Sequence, residues 1–199
     1  MRRPSPLSSR GLAVLLTVGL LAGPPAAAQT PQAPGPPRRE KLAPFVPTPQ
    51  EVVDRMLAMA EVKEGDVVYD LGCGDGRLVI TAAKRFGVRG LGVDIDPERI
   101  AESKANAKRA GVDRLVEFRQ QDARDVDLSG ATVVTLYLLT EANLELRPRL
   151  QTQLKPGSRV VSHQFGMGDW VPQKAETFVD HNGYSRQLYL WVIGAPPKP

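Results

Sequence analysis

Apolar residues recur along this chain in two alternating periods. Residues 50–60 place Val53, Met56, Leu57 and Ala60 on one face of a helix. Residues 67–71, VVYDL, form an apolar run of strand length. Helical spacing returns over residues 77–86, with Leu78, Val79, Ala82, Ala83 and Phe86 inward. A second strand is predicted at 90–94. Asp96-Pro97-Glu98 then starts a helix that runs to about residue 110: Asp caps it, Pro fits the first turn, and Glu suits the positive end of the dipole. Strands follow at 115–120 and 132–137. Thr140 is expected to cap the next helix, which Pro148 should interrupt or restart. Lys155-Pro156-Gly157 makes a turn before a fifth strand at 159–164. The last apolar stretch, ETFVDHNGYSRQLYLWVI, divides around Asn182-Gly183 into the two strands of a hairpin.

Strand and helix alternate five times before that hairpin. This predicts an α/β fold: a Rossmann-like, seven-stranded, mostly parallel sheet with one antiparallel strand, in three α/β/α layers. Ligands of such sheets bind beyond the carboxyl ends of the strands. Asp70, Asp94, Asp122, Tyr137 and His163 each stand at or just past a predicted strand end, so they should lie along one edge.

The N-terminal pattern is different. Arg2, Arg3 and Arg10 precede an apolar run, GLAVLLTVGLLAG, and then Ala26-Ala27-Ala28. That is the three-part pattern of a secretory signal peptide over residues 1–28. The apolar run is about 13 residues, short of the ~20 that span a bilayer. Export is therefore expected, with an uncleaved membrane anchor or a misplaced start and a cytoplasmic protein as the alternatives. Nine of the 18 prolines fall between Pro24 and Pro49. Residues 29–44 read as an extended Pro-rich linker, and residues 45–195 as the folded domain.

Removing residues 1–28 changes the charge. The full chain is +4, but without the three leading arginines it is about +1, with 23 basic and 22 acidic side chains. That gives a nucleic-acid partner little support. Cys73 is the single cysteine, which excludes an intramolecular disulfide. His163 and His181 are the only histidines and lie far apart, so no metal site is expected.

The chemistry concentrates in Gly72-Cys73-Gly74-Asp75-Gly76-Arg77. Arg77 stands where a dinucleotide fingerprint would have its third glycine. Asp70 precedes the loop and Asp75 lies within it. A pyrophosphate here would face both carboxylates, and like charges at about 4 Å repel by roughly 4 kcal/mol at an effective dielectric of 20. The loop suits a nucleoside without phosphates that carries a cationic part. S-adenosylmethionine, with its sulfonium, ammonium and carboxylate, is such a molecule, and the helix start near Gly76 suits its carboxylate. Asp94 is placed to accept both ribose hydroxyls. Asp122 is a candidate acceptor for an adenine amino group, or an ordinary loop acid.

With these motifs, YDLGCGDGRLVI, GVDID and RQQDA, the chain resembles class I, seven-stranded S-adenosylmethionine-dependent methyltransferases. PFVPTPQEVVDRML, VVTLYLLTEAN, LKPGSRVVSHQF and the following Trp170 make it similar to the archaeal broad-specificity protein-lysine methyltransferases. More distantly it resembles the mitochondrial lysine methyltransferases of adenine-nucleotide translocase and of an ATP synthase component. The resemblance covers roughly residues 45–194. It implies cofactor contacts at Asp70, Gly72, Gly74, Asp94 and Asp122, with Cys73 between the two glycines, and a segment 46–49 that folds over the cofactor with Thr48 in reach. Asp94 departs from the glutamate usual there, and Asp122 from a frequent asparagine.

The resemblance implies methyl transfer to the lysines of a protein, by a monomer with no stable membrane span. The alternatives are a class I enzyme acting on a small molecule and an exported cofactor-binding module without turnover. No N-P-P-Y-type motif follows the fourth strand, where LYLLT stands instead, so methylation of a base amino group is disfavoured. Tyr137 is the best candidate to line the methyl-transfer channel, or else an aromatic at the sheet edge. His163 is a wall residue or proton acceptor, or a hydrogen-bonded structural histidine. Trp170 caps the channel or packs under a loop. Cys73 reads as a small loop residue rather than a nucleophile.

Overall fold

A computed structural model gives the fold, and residues 40–195 are described. The signal-peptide reading of residues 1–28, and the Pro-rich stretch before Glu40, lie outside the described residues. In chain order the elements are α1 (Gln50–Met59), β1 (Val67–Leu71), α2 (Arg77–Phe86), β2 (Arg89–Asp94), α3 (Pro97–Ala110), β3 (Val116–Gln120), a 3-10 turn (Ala123–Asp125), β4 (Val133–Leu136), α4 (Thr140–Gln153), β5 (Arg159–His163), β6 (Lys174–Val179) and β7 (Ser185–Val192). They build one seven-stranded sheet in the order β3-β2-β1-β4-β5-β7-β6. β1 to β5 run parallel, and β7 is reversed, pairing antiparallel with both β5 and β6.

The parallel strands are apolar because helices cover both faces. β4 is buried at all four positions. On one face α1 and α2 bury Val52, Val53, Met56, Leu57, Leu78 and Ala82 against Val68, Val133 and Val161. Farther along that face α2 and α3 enclose Val79, Ala83, Ile100 and Phe118. On the other face α4 sets Leu146 and Leu150 against Val93, Val134, Leu136 and Trp191. The α2 side leaves no room beyond hydrogen on β2: a Cβ on Gly90 would come within 2.2 Å of Val79 Cγ1.

Asp96 caps α3 as expected, its carboxylate accepting from the Glu98 amide at 2.9 Å with Pro97 next in line. Three local expectations need correction. Thr140 is the first residue of α4, not its cap; Leu139 precedes it and offers no side-chain acceptor. Pro148 does not interrupt α4. Pro148 and Leu144 both face outward, so the carbonyl that loses its partner across that turn meets water rather than core. The Asn182-Gly183 pair sits within a longer connection. There the Asp180 carboxylate accepts from the amides of Asn182 and Tyr184, both at 3.0 Å, and from Arg186 Nε at 2.8 Å. A buried acid, rather than a two-residue turn, holds that hairpin end.

A candidate methyl-donor cleft

Strand order reverses between β1 and β4, and a cleft of about 870 Å³, part of it open to solvent, lies there at the carboxyl ends of the strands. The register sets its floor. Asp70 pairs across to Gly92 on one side and Thr135 on the other. Its Oδ1 accepts from the Thr135 hydroxyl at 2.8 Å, and the residue is only 6% exposed. Burial pushes the Asp70 carboxyl up to about 7; the Thr135 hydroxyl pulls it partway back, and the charges of Asp94 and Asp75 push it further up.

The glycine loop is stitched to β2. Gly72 and Cys73 amides both donate to the Val93 carbonyl, at 2.9 and 2.8 Å. The Gly74 amide donates to Asp94 Oδ2 at 3.0 Å, while Asp94 Oδ1 accepts from the Asp96 amide at 2.9 Å. Gly74 has φ 52, and a Cβ there would fall 2.4 Å from the Phe45 ring, so the position is closed to other residues by conformation and by space. Burial and the neighbouring acids push the Cys73 thiol well up, which leaves it inert.

The first described segment, residues 40–48, roofs the cleft and is held by three loops. Lys41 pairs with Asp96 at 2.7 Å. The Glu40 carbonyl accepts from Arg124 at 3.2 Å, and the Thr48 carbonyl from Arg77 at 2.7 Å. Arg99 lies 4.7 Å over the Phe45 ring. Among the described residues four cations reach the lining, and each already has an acidic partner: Lys41 with Asp96, Arg77 with Asp75, Arg99 with Glu102, and Arg124 with Asp122. Burial alone would raise the Asp75 carboxyl, but the Arg77 guanidinium holds it below the usual carboxylate range. Asp70, at the floor, has no cationic partner among the described residues.

Thr48, Asp70, Gly72, Cys73, Gly74, Asp94, Asp122 and Tyr137 are all on the lining. Asp122 caps the 3-10 turn, accepting from the Arg124 amide at 2.9 Å and from its guanidinium. Tyr137 follows β4, its ring 4.0 Å from that of His163 and 6.4 Å from that of Phe165. His163 is wholly buried and stands behind Tyr137, off the lining. Among the described residues neither of its ring nitrogens has a hydrogen-bond partner, which departs from the expectation of a bonded structural histidine. Burial lowers its pKa to about 4, helped by the Arg186 charge and opposed by Asp180, so the ring is neutral at neutral pH. Trp170 is also off the lining. It packs 5.6 Å from Trp191 and accepts the Trp191 indole N–H on its carbonyl at 2.7 Å.

Sequence reasoning missed Glu40, Lys41, Phe45 and Arg99. The first two fall in a stretch read as linker, and Lys41 meets an acid 55 positions away, so no local pattern announces it. The visible signal was Arg77 in the third-glycine position, a guanidinium that needed partners. Among the described residues no group of three or more His, Cys, Asp or Glu side chains is placed to hold a metal ion.

The ANTKMT methyltransferase domain matches residues 70–174 of this chain. A protein-lysine N-methyltransferase of Saccharolobus islandicus (strain REY15A) is 49% identical over 152 residues, 76% of this chain and 94% of that protein. A Mus musculus adenine nucleotide translocase lysine N-methyltransferase is 32% identical over 130 residues, 65% of this chain and 56% of that protein, so the chain spans little more than half of that relative. Among solved structures, an RNA methyltransferase from Salinibacter ruber in complex with S-adenosyl-L-homocysteine is 53% identical with a TM-score of 0.70, over 77% of this chain and 98% of that one.

Proposed function

The chain belongs to the family of the ANTKMT methyltransferase domain, and from that premise we propose that it methylates the lysine side chains of proteins with S-adenosylmethionine as donor. The observation that carries this reading is the cleft's charge arrangement: among the described residues every lining cation is already matched, while Asp70 lies buried at the floor without one. A donor with a cationic end and no phosphates fits that arrangement, and a phosphate-bearing nucleotide does not.

S-adenosylmethionine supplies a methyl group on a sulfonium that leaves as neutral thioether. Gly72 and Gly74 bring backbone close to the donor, Asp94 orients its ribose, and Asp70 receives its ammonium. Thr48, Cys73 and Asp122 complete the walls. Tyr137 forms the acceptor side. Its ring, backed by a neutral His163 and flanked by Phe165, is a surface that lowers a lysine pKa by desolvation and holds the aliphatic stem. The amine must be neutral to attack, and alignment then supplies most of the acceleration.

The Salinibacter relative raises an RNA acceptor as the rival. Residues 40–195 carry 22 acidic and 20 basic side chains, because six of the 26 cations fall outside that range. That balance favours protein over phosphate backbone. We further read residues 1–28 as an export signal and the protein as a monomer. Gln29 at the mature N-terminus would support the export reading, and an intact Met1 would sink it; light scattering would test the monomer.

The test of function incubates the full chain, and an Asp94→Ala variant, with radiolabelled S-adenosylmethionine and cell lysate. Label should enter protein, vanish in the variant, and vanish when lysines are blocked by reductive alkylation. Label that resists lysine blocking but is lost with ribonuclease would overturn the proposal.

A further inference from the structure

β5 ends in a strained turn. The Phe165 amide donates to the His163 carbonyl at 2.9 Å, two residues back, and Gln164 between them has φ 68. That is a γ-turn of the rare, strained hand. Among the described residues one other non-glycine residue has positive φ, Glu61, which is exposed and directly follows the capping residue of α1. Gln164 ends no helix. Its turn is pinned from several sides. The Gln164 amide donates to the Gln187 carbonyl on β7 at 2.7 Å. The buried Asn143 of α4 shares its side-chain amide hydrogens among Ser162 Oγ at 3.2 Å and the Phe165 and Gly166 carbonyls at 3.1 and 3.3 Å. The Ser162 hydroxyl donates to the Phe165 carbonyl at 2.6 Å. A strained residue persists only where its surroundings over-determine it, and such residues gather at functional sites.

Unpaired polar atoms gather here too. Among the described residues five buried side-chain polar atoms lack a hydrogen-bond partner, and four belong to this turn and its clamp: Asn143 Oδ1, Gln164 Oε1 and both ring nitrogens of His163. Buried atoms of this kind call for a ligand, a catalytic role or water. Glycine would take φ 68 freely and bring no orphaned oxygen, so the glutamine side chain carries two costs that the turn itself does not require. The turn adjoins the donor cleft. His163 and Phe165, on either side of Gln164, bring their rings 4.0 and 6.4 Å from that of Tyr137, which lines the cleft. The surroundings are neutral on balance: the charges that act on His163, Arg186 and Asp180, are paired with each other at 2.8 Å.

We propose that Gln164 binds the methyl acceptor, its side-chain carbonyl taking an N–H of the incoming primary amine. The inference rests on the lysine-methyltransferase reading and names the group that orients the amine. A neutral carbonyl suits the chemistry. It accepts from the free amine, whereas a carboxylate would favour the ammonium and raise its pKa. With an N–H held, the nitrogen lone pair is left to face the methyl carbon. The nitrogen–carbon bond forms as the carbon–sulfur bond breaks with its electron pair to sulfur, and the methylammonium then releases a proton to water.

The test uses the full chain, saturating S-adenosylmethionine and a lysine peptide taken from a protein that wild type labels in lysate. Gln164→Met keeps the length and removes the oxygen. It should lower kcat about tenfold, the scale of one hydrogen bond, with donor affinity unchanged and Tm equal or higher. Gln164→Gly, unstrained at φ 68, should be at least as stable as wild type and lose activity likewise. Gln164→Glu should shift the pH of half-maximal kcat up by about one unit, since a carboxylate holds the ammonium. A residue that only shapes the turn would leave the methionine variant active and the glutamate profile unmoved. Wild-type kcat in the methionine or glycine variant, or an unshifted pH profile in the glutamate variant, overturns the proposal. The glycine variant decides if the methionine variant fails to fold. Wild type that labels no lysine in lysate protein takes down the lysine reading as well, whereas labelled lysines with fully active Gln164 variants take down this inference alone.

Discussion

Asp70→Asn should make the protein more stable and unable to hold its donor. The Asp70 carboxyl moves from an ordinary value of 3.8 to about 7 in the fold. At about 1.4 kcal/mol per pH unit, keeping it ionised above neutrality costs roughly 4 kcal/mol. The sign follows from proton counts. Between those two values the folded state holds a proton that the unfolded chain has released, so stability falls as pH rises from 3.8 to about 7 and is level beyond. Asparagine is isosteric and can still accept from Thr135, but carries no charge. The variant should match wild type at pH 4 and exceed it at pH 8, by up to about 4 kcal/mol, or roughly 10 °C in Tm for a domain of this size. His163 sharpens the contrast. Its fall from 6.5 to about 4 runs the other way, with stability lost as pH drops through that window. The two slopes largely cancel in wild type. Asp70→Asn should therefore unmask a profile that climbs from pH 4 to 6.5. Urea titrations from pH 4 to 8, with calorimetric binding of S-adenosylmethionine at each pH, would read both effects. Wild-type donor affinity should rise with pH up to about 7, as the bound ammonium displaces the Asp70 proton. A variant no more stable than wild type at pH 8, or donor affinity flat across that range, would refute the charge argument.

Gly74→Ala should weaken donor binding and lower stability by about 1–3 kcal/mol, because its Cβ would meet the Phe45 ring at 2.4 Å. Phe45→Ala in the same chain should recover part of the stability, and no recovery would show that the backbone conformation alone is at fault. Arg159→Ala should cost about 3–5 kcal/mol by leaving Asp66, which it contacts at 2.6 Å, buried without its partner. Asp66 is held below its ordinary value despite burial, chiefly by Arg159, so its contribution is present above pH 3.8 and lost as pH falls through its folded value. The Arg159 variant should differ from wild type least at low pH in denaturant melts. His163→Phe should raise Tm at pH 5, since it removes two unpaired buried nitrogens; a fall of several degrees would mean the imidazole has a partner in solution.

Much of the fold was written in periodicity. Val68, Leu71, Val133 and Val134 had to be strand because they are short apolar runs bounded by turns, and the residues that follow them had to lie on one edge once the sheet was parallel. Asp70, Asp94, Asp122 and Tyr137 were legible for that reason. His163 was legible as a strand end but not as an orphaned ring, because hydrogen-bond partners are a property of three-dimensional neighbours. Trp170 offered two roles that sequence could not separate, and its contact with Trp191 was not legible because it joins residues 21 positions apart.

The sequence by itself determined the alternation of elements, the glycine loop, the cap at Asp96 and the acids that exclude a phosphate. These are short-range matters, in which each residue's chemistry acts on its immediate neighbours. Only the tertiary structure decided that β7 inserts between β5 and β6, that residues 40–44 roof the donor cleft, and that Lys41 and Arg124 are matched rather than available. Those outcomes depend on contacts between residues tens of positions apart, where packing and charge pairing are settled by the whole fold and leave no local pattern.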